Sequence, residues 1–359
     1  MEPFGVYVHV PSCARRCEYC AFATWTDRHH LMAAYAAACV AEIEEAALPP
    51  ATSVFVGGGT PSLLPADLLT SVLRAVPRAA VAAGAEVTVE CNPETVTAEL
   101  LAAYRAAGVS RLSFGVQSMV PAVLRALGRV HDPAAVQRAV ALAREAGFAS
   151  YNLDLIYGAA GESLDDWRTT LERALALDPA HVSAYALSVE PGTPLAADPA
   201  RHPDDDDQAD KYVLADALLT AAGLRSYEIS NWARPGHECR HNLLYWSQGD
   251  YRGIGCAAHS HRAGRRWWNV RKPERYIAAV AAGESPVAAE EALDPAQRRA
   301  EALQLALRTS TGVPWSAVPP DLGDPAGLGG LGLLERHGER AVLTVRGRLL
   351  ANEVAVRLT

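Results

Sequence analysis

The chain has 359 residues, 50% of them hydrophobic and 21% charged, with a formal net charge of −8. That length can bury a large core and suggests one big domain with one or two smaller ones. The acidic balance argues against general nucleic-acid binding, which needs basic surface, and no apolar run is long enough for an integral membrane protein.

Seven cysteines, an odd number with three in one short motif, do not make a disulfide framework and point to a reducing compartment. The opening residues lead straight into a strand-like segment with no signal-peptide pattern, so a cytoplasmic location is expected. Short β-branched runs at 6–10, 53–56, 86–90, 111–117, 151–156 and 181–187 are predicted strands. Alanine-rich amphipathic stretches at 31–48, 66–76, 98–107, 133–146 and 164–177 are the helices between them. Strand-helix alternation at about thirty residues per unit means parallel βαβ units with right-handed crossovers. Six units predict an α/β fold, a curved sheet or partial (β/α)6 barrel rather than a closed barrel of eight.

The pattern changes after Glu190-Pro191-Gly192-Thr193-Pro194. Residues 198–207 read as a solvated Pro/Asp loop whose four consecutive aspartates are an exposed charge run, and 208–222 as a helix. Residues 227–268 are dense in aromatic, His and Gly residues. The last seventy or so read as a small α/β unit, with a helix at 297–308, a hairpin near 339–345 and a final helix from Gly347. The expected division is 1–190, 191–285 and a winged-helix-like 286–359.

Chemistry concentrates at the start, in Cys13-Ala-Arg-Arg-Cys17-Glu-Tyr-Cys20. Three thiolates within eight residues can cap three irons of a cubane 4Fe-4S cluster, whereas a zinc site wants a fourth ligand. Ala21, Phe22 and Ala23 follow, so the set is one ligand short and leaves an iron open to a small molecule. Gly57-Gly58-Gly59-Thr60, Glu90, Gln117 and Asp154 fall at or towards strand ends, where parallel α/β folds bind ligands. Gly58 and Gly59 permit close backbone approach and Thr60 adds a hydroxyl. Glu90 and Asp154 suit hydroxyl or amino groups, and Arg129 suits a carboxylate.

The C-x3-C-x2-C spacing with Tyr19 before the last cysteine resembles the radical S-adenosylmethionine superfamily. That resemblance implies a 4Fe-4S cluster on Cys13, Cys17 and Cys20, with S-adenosylmethionine chelating the open iron. Tyr-Val-His-Val-Pro (7–11), Gly-Gly-Gly-Thr-Pro-Ser (57–62), Glu-Cys-Asn-Pro-Glu (90–94) and Phe-Gly-Val-Gln-Ser (114–118) narrow it to the coproporphyrinogen oxidase-like branch. Leu-Gly-Arg-Val-His (127–131) and Asn-Leu-Asp-Leu-Ile-Tyr-Gly (152–158) agree. By that match Tyr7, Gly58, Gly59, Thr60, Glu90, Gln117, Arg129 and Asp154 are the S-adenosylmethionine positions.

Phe22, where the oxidases carry a further cysteine, and the short segment before Cys13 resemble the HemW-type haem chaperones. So does His241-Asn242-Leu243-Leu244-Tyr245-Trp246, an HNxxYW element. The resemblance implies binding haem and passing it to acceptor haemoproteins of respiration, with coproporphyrinogen oxidation disfavoured and room for a homodimer. His241 is then either a haem ligand with Tyr245 and Trp246 as walls, or a hydrogen-bonding residue beside aromatic core. A zinc site of Cys239, Cys256, His259 and His261 with His241 has irregular spacing. Cys39 and Cys91 read as small buried residues, and His9 as a neighbour or contact of the cofactor. Ser12, Ala21 and Cys256-Ala257 depart from the usual family residues. The rival enzyme reading is a HemN-like methylase or cyclopropanase.

Overall fold

The β-branched runs form the parallel strands β1 (Phe4–Val10), β2 (Ser53–Gly58), β3 (Glu86–Cys91), β4 (Arg111–Gln117), β5 (Ser150–Tyr157) and β6 (His181–Ala186), hydrogen-bonded in chain order. The computed structural model describes residues 3–77, 84–320 and 330–358. Helices α1 (Met32–Glu45), α2 (Ala66–Ala75), α3 (Ala98–Ala106), α4 (Pro121–Ala126), α5 (Pro133–Glu145) and α6 (Leu164–Leu175) lie between the strands. Of these α4 was not anticipated. It is a single short turn-rich segment with Pro121 at its start, too brief to show a helical period.

Strand alternation sorts the side chains. Leu112, Phe114 and Val116 of β4 are fully buried among the apolar residues of the main core, while Arg111, Ser113, Gly115 and Gln117 occupy the opposite face. Tyr7 of β1 and Tyr185 of β6 line one cavity of about 230 Å³. In a flat sheet six strands would hold those two strands about 24 Å apart, so the sheet curls into an open barrel wall.

The sheet extends at both ends. Beyond β6 lie β8 (Asn231–Ala233) and β7 (Arg225–Ser226). On the other side β9 (Asp250–Ile254) pairs in parallel with β1, followed by β10 (His259–Arg262), β11 (Arg265–Asn269) and β12 (Val287–Ala292) in antiparallel order. The segment from 227 to 268 therefore supplies strands to the main sheet. A second hydrophobic cluster, centred on Leu307, Val313, Leu343 and Val354, holds a three-stranded sheet of β13 (Val313–Pro314), β14 (Leu334–His337) and β15 (Arg340–Leu343). Among the described residues no helix is long and apolar enough to cross a membrane.

The acidic run corrects one expectation. Residues 205–207 open helix α7 (Asp205–Ala221) instead of ending a loop, with the Asp204 side chain accepting from the Asp207 N–H at 2.9 Å. Negative charge in a first helical turn is favoured by the dipole and the free N–H groups. Asp207 also pairs with the fully buried Lys211. Replacing Asp204 with Ala should cost about 1 kcal/mol, seen as a lower urea midpoint with an unchanged slope.

Candidate functional site

The cysteine loop follows β1 and is tied to the end of β2 by backbone hydrogen bonds. Gly59 N donates to Val10 O at 2.7 Å and Thr60 N to Ser12 O at 2.8 Å. A Cβ on Gly59 would stand 2.6 Å from Ser12 O and 3.1 Å from Cys13 Sγ, so only glycine permits this approach. Gly58 adopts φ +106°, and a side chain there would strike the His9 ring.

The Thr60 hydroxyl lies 3.8 Å from Cys13 Sγ. Arg129, just past α4, directs Nη1 at Cys17 Sγ (3.5 Å) and Nη2 at Gly115 O (3.0 Å) and Asn92 Oδ1 (3.2 Å). Its Nε is buried without a hydrogen-bond partner. Gln117 sits at φ +63° where the β4–β5 register shifts, and a Cβ on Gly115 would touch both it and Arg129.

Burial pushes the Cys13 and Cys20 thiols up, and each is raised further by neighbouring thiols of the loop. Binding a metal centre there displaces protons. Among the described residues no three His, Cys, Asp or Glu side chains converge on a single ion, which sets aside the zinc arrangement. A cubane differs because each thiolate binds a separate iron. Three thiols on one loop, an unpartnered Arg129 Nε beside them and a glycine cradle fit a cluster bound to a small zwitterion.

Deeper in the curl the side chains are polar. Asp154 accepts from Ser113 Oγ and Asn152 Nδ2, both at 2.8 Å. Asn152 Oδ1 takes the His181 Nδ1 proton at 2.7 Å, and His181 Nε2 meets Tyr227 Oη at 2.8 Å. Burial, then the Arg111 charge, holds His181 well below the usual histidine range, so it is neutral. Glu90 accepts from Gly58 N–H at 3.1 Å. Burial, then the Asp154 carboxylate, pushes the Glu90 carboxyl up to about 8. Tyr7 Oη reaches His9 Nδ1 at 3.1 Å, and His9 Nε2 donates to the Ala23 carbonyl at 2.9 Å.

The Radical SAM superfamily model matches residues 7–174. "Heme chaperone HemW" of Mycobacterium tuberculosis is 45% identical over 98% of this chain and 94% of its own length. The protein of that name from Bacillus subtilis is 34% identical over 98% and 97%, and that of Escherichia coli K12 is 40% identical over 72% and 70%. This chain belongs to the HemW family of radical SAM proteins. The solved coproporphyrinogen III oxidase of Escherichia coli, a radical SAM enzyme, shares the fold with a TM-score of 0.85 at 24% identity, over 99% of this chain and 90% of that one.

The HNxxYW element of this HemW family member forms helix α8 (Arg240–Trp246), against β1 and β2. His241 is buried, with Nδ1 at 3.0 Å from Ser53 Oγ and Nε2 at 2.8 Å from Tyr245 Oη, and its ring stacks on Phe55. Burial drives its pKa down to about 3. Both ring nitrogens are engaged within the protein. Asn242 does face the cavity of about 230 Å³, with Tyr7, Gly58, Glu90 and Asp154. Cys13, Cys17, Gly59, Thr60, Gln117 and Arg129 cluster around the cysteine loop. Cys39 and Cys91 are buried as expected.

Sequence reading missed Arg111 and His181, which line the same cavity. The only signal available was the strict alternation in Arg-Leu-Ser-Phe-Gly-Val-Gln. It also missed a larger open cleft of about 570 Å³ beyond Tyr7 and Phe22, walled by residues from 245 to 305. Because the Glu90 pKa is raised in the folded protein, the folded state holds the extra proton between the ordinary carboxyl range and about pH 8. Its contribution to stability therefore falls as pH rises through that window. Glu90→Gln should gain stability relative to the parent by roughly 1–3 kcal/mol between pH 5 and pH 8, read from urea midpoints at the two pH values.

Proposed function

We propose that this protein is a haem carrier on a radical SAM scaffold: it binds haem and passes it to acceptor haemoproteins of respiration. The observation that carries the reading is identity of 45% over 98% of the chain to a protein named as a haem chaperone. The placement of an open cleft beside the three-thiol loop supports it. Cys13, Cys17 and Cys20 would hold a 4Fe-4S cluster, which supplies one-electron chemistry and an iron open to a chelating ligand.

S-adenosylmethionine would lie along the strand ends. Gly58 and Gly59 allow its approach, Thr60 and Gln117 offer polar contacts, and Arg129 answers its carboxylate. Tyr7 is held by His9 and so presents a fixed ring edge to the same space. Glu90 and Asp154, one favouring the neutral acid and one hydrogen-bonded on both oxygens, offer a donor and an acceptor to hydroxyl or amino groups. Seven cysteines without a disulfide agree with a reducing cytoplasm. We further propose a core of 1–190, an extension of 191–285 that shapes the cleft, and a terminal unit of 286–359.

Anaerobic reconstitution tests this. Parent protein should show cluster absorbance, and Cys17→Ala should lose it; a fully loaded variant overturns the ligand set. Titrated with haem, the reconstituted protein should saturate near one haem per chain and release it to an apo-haemoprotein. Turnover of coproporphyrinogen or methylation of an aromatic substrate, without saturable haem binding, would replace the carrier reading with an enzyme.

A further inference from the structure

A haem carrier offers its cargo an axial donor, such as a ring nitrogen with a free lone pair, flat walls for the macrocycle, and a cation for the propionates. The cavity of about 230 Å³ is small for a porphyrin and is crossed by hydrogen bonds among Ser113, Asn152, Asp154 and His181. The cleft of about 570 Å³ lies within the range of about 300–1,000 Å³ usual for ligand sites. It opens to solvent, as loading and release of a cargo require.

Three histidines line that cleft: His9, His259 and His261. Both nitrogens of His9 are spent on Tyr7 and Ala23. His261 Nδ1 faces the Gly249 carbonyl at 3.0 Å, and its Nε2 accepts from Gly264 N–H at 3.1 Å. His241, behind the wall, is spent on Ser53 and Tyr245. His259 differs. Among the described residues no hydrogen bond or ion pair involves its ring, which stacks on Trp268 with centroids 5.4 Å apart and planes inclined by 23°. That stack fixes the ring plane without using either nitrogen, as an axial ligand needs.

The cations sort in the same way. Arg266, in the cleft wall, is committed to Glu301 at 2.7 Å and Glu291 at 3.4 Å. Arg271 lines the same cleft, and among the described residues no hydrogen bond or ion pair involves its guanidinium. The flat surfaces are Tyr7, Phe22 and Tyr245. Phe22 is 65% exposed, an apolar ring left uncovered between the cysteine loop and the cleft.

We infer that haem occupies this cleft with its iron on His259 and a propionate on Arg271, while His241 is a positioning residue that holds Tyr245 in the wall. The inference rests on the haem-carrier reading. It also gives the HNxxYW element a role without iron ligation, since the His241 ring meets the Tyr245 hydroxyl at 2.8 Å.

The test is a titration of full-length, cluster-reconstituted protein with ferric haem, read by Soret absorbance and by resonance Raman or electron paramagnetic resonance for the axial ligand. Cluster absorbance and thermal melting show that each variant is folded. His259→Ala and the closer-sized His259→Gln should lose the imidazole-ligated signature and weaken binding about tenfold or more, and added imidazole should restore the spectrum of His259→Ala. His241→Ala should keep the imidazole signature at reduced affinity. Arg271→Gln should weaken binding of haem but not of its dimethyl ester.

An unchanged spectrum in both His259 variants overturns the inference and leaves the carrier reading intact, as does loss of the signature in His241→Ala alone. A tyrosinate-type spectrum in the parent also overturns it. Absence of saturable haem binding by the parent overturns both.

Discussion

Everything in this molecule hangs on the hydrogen-bonded joint between the end of β2 and the cysteine loop. Gly59 N to Val10 O and Thr60 N to Ser12 O draw two segments nearly fifty residues apart into one surface. The absence of a Cβ at Gly59 makes that approach sterically allowed. Once the joint is made, Cys13 lies beside Thr60, Cys17 beside Arg129, and the curl of the parallel sheet brings Tyr7, Glu90 and Asp154 to the same end. A bulkier residue at 59 would force apart a backbone contact that aligns the thiols with the strand ends.

The curled sheet separates two solvents. Its outer side chains are Val, Leu and Phe packed on helices, where burial of apolar area provides most of the stabilisation. Its inner side chains are polar and must satisfy one another away from water. The Ser113–Asn152–Asp154–His181–Tyr227 chain does so. Arg111 does not: it is 4% exposed and its Nε has no partner. Arg111 and Glu90 line the same cavity of about 230 Å³.

The addition of β9 to the β1 edge is the second organising event. It carries the β9–β11 ribbon to the mouth of the curl, and the open cleft lies between that ribbon, α8 and the cysteine loop. Ala257, at φ +55°, stands in that turn. The position is one where glycine is the less strained residue.

The six parallel units were legible because hydrophobic period and β-branching are local properties, and their boundaries agree within a few residues. The thiol motif and the strand-end residues were legible because spacing along a strand decides which face and end a side chain reaches. The start of α7 was misread because a run of aspartates looks solvated unless its capping geometry is seen. The sequence by itself thus determined the fold class and the family. Only the tertiary structure decided which histidine nitrogens are spent and which are free. His241 is satisfied by Ser53, 188 positions away, while His259 stacks on Trp268 with no hydrogen bond to either nitrogen among the described residues. Hydrogen-bond satisfaction is a pairwise property of residues brought together by folding, and no local pattern encodes it.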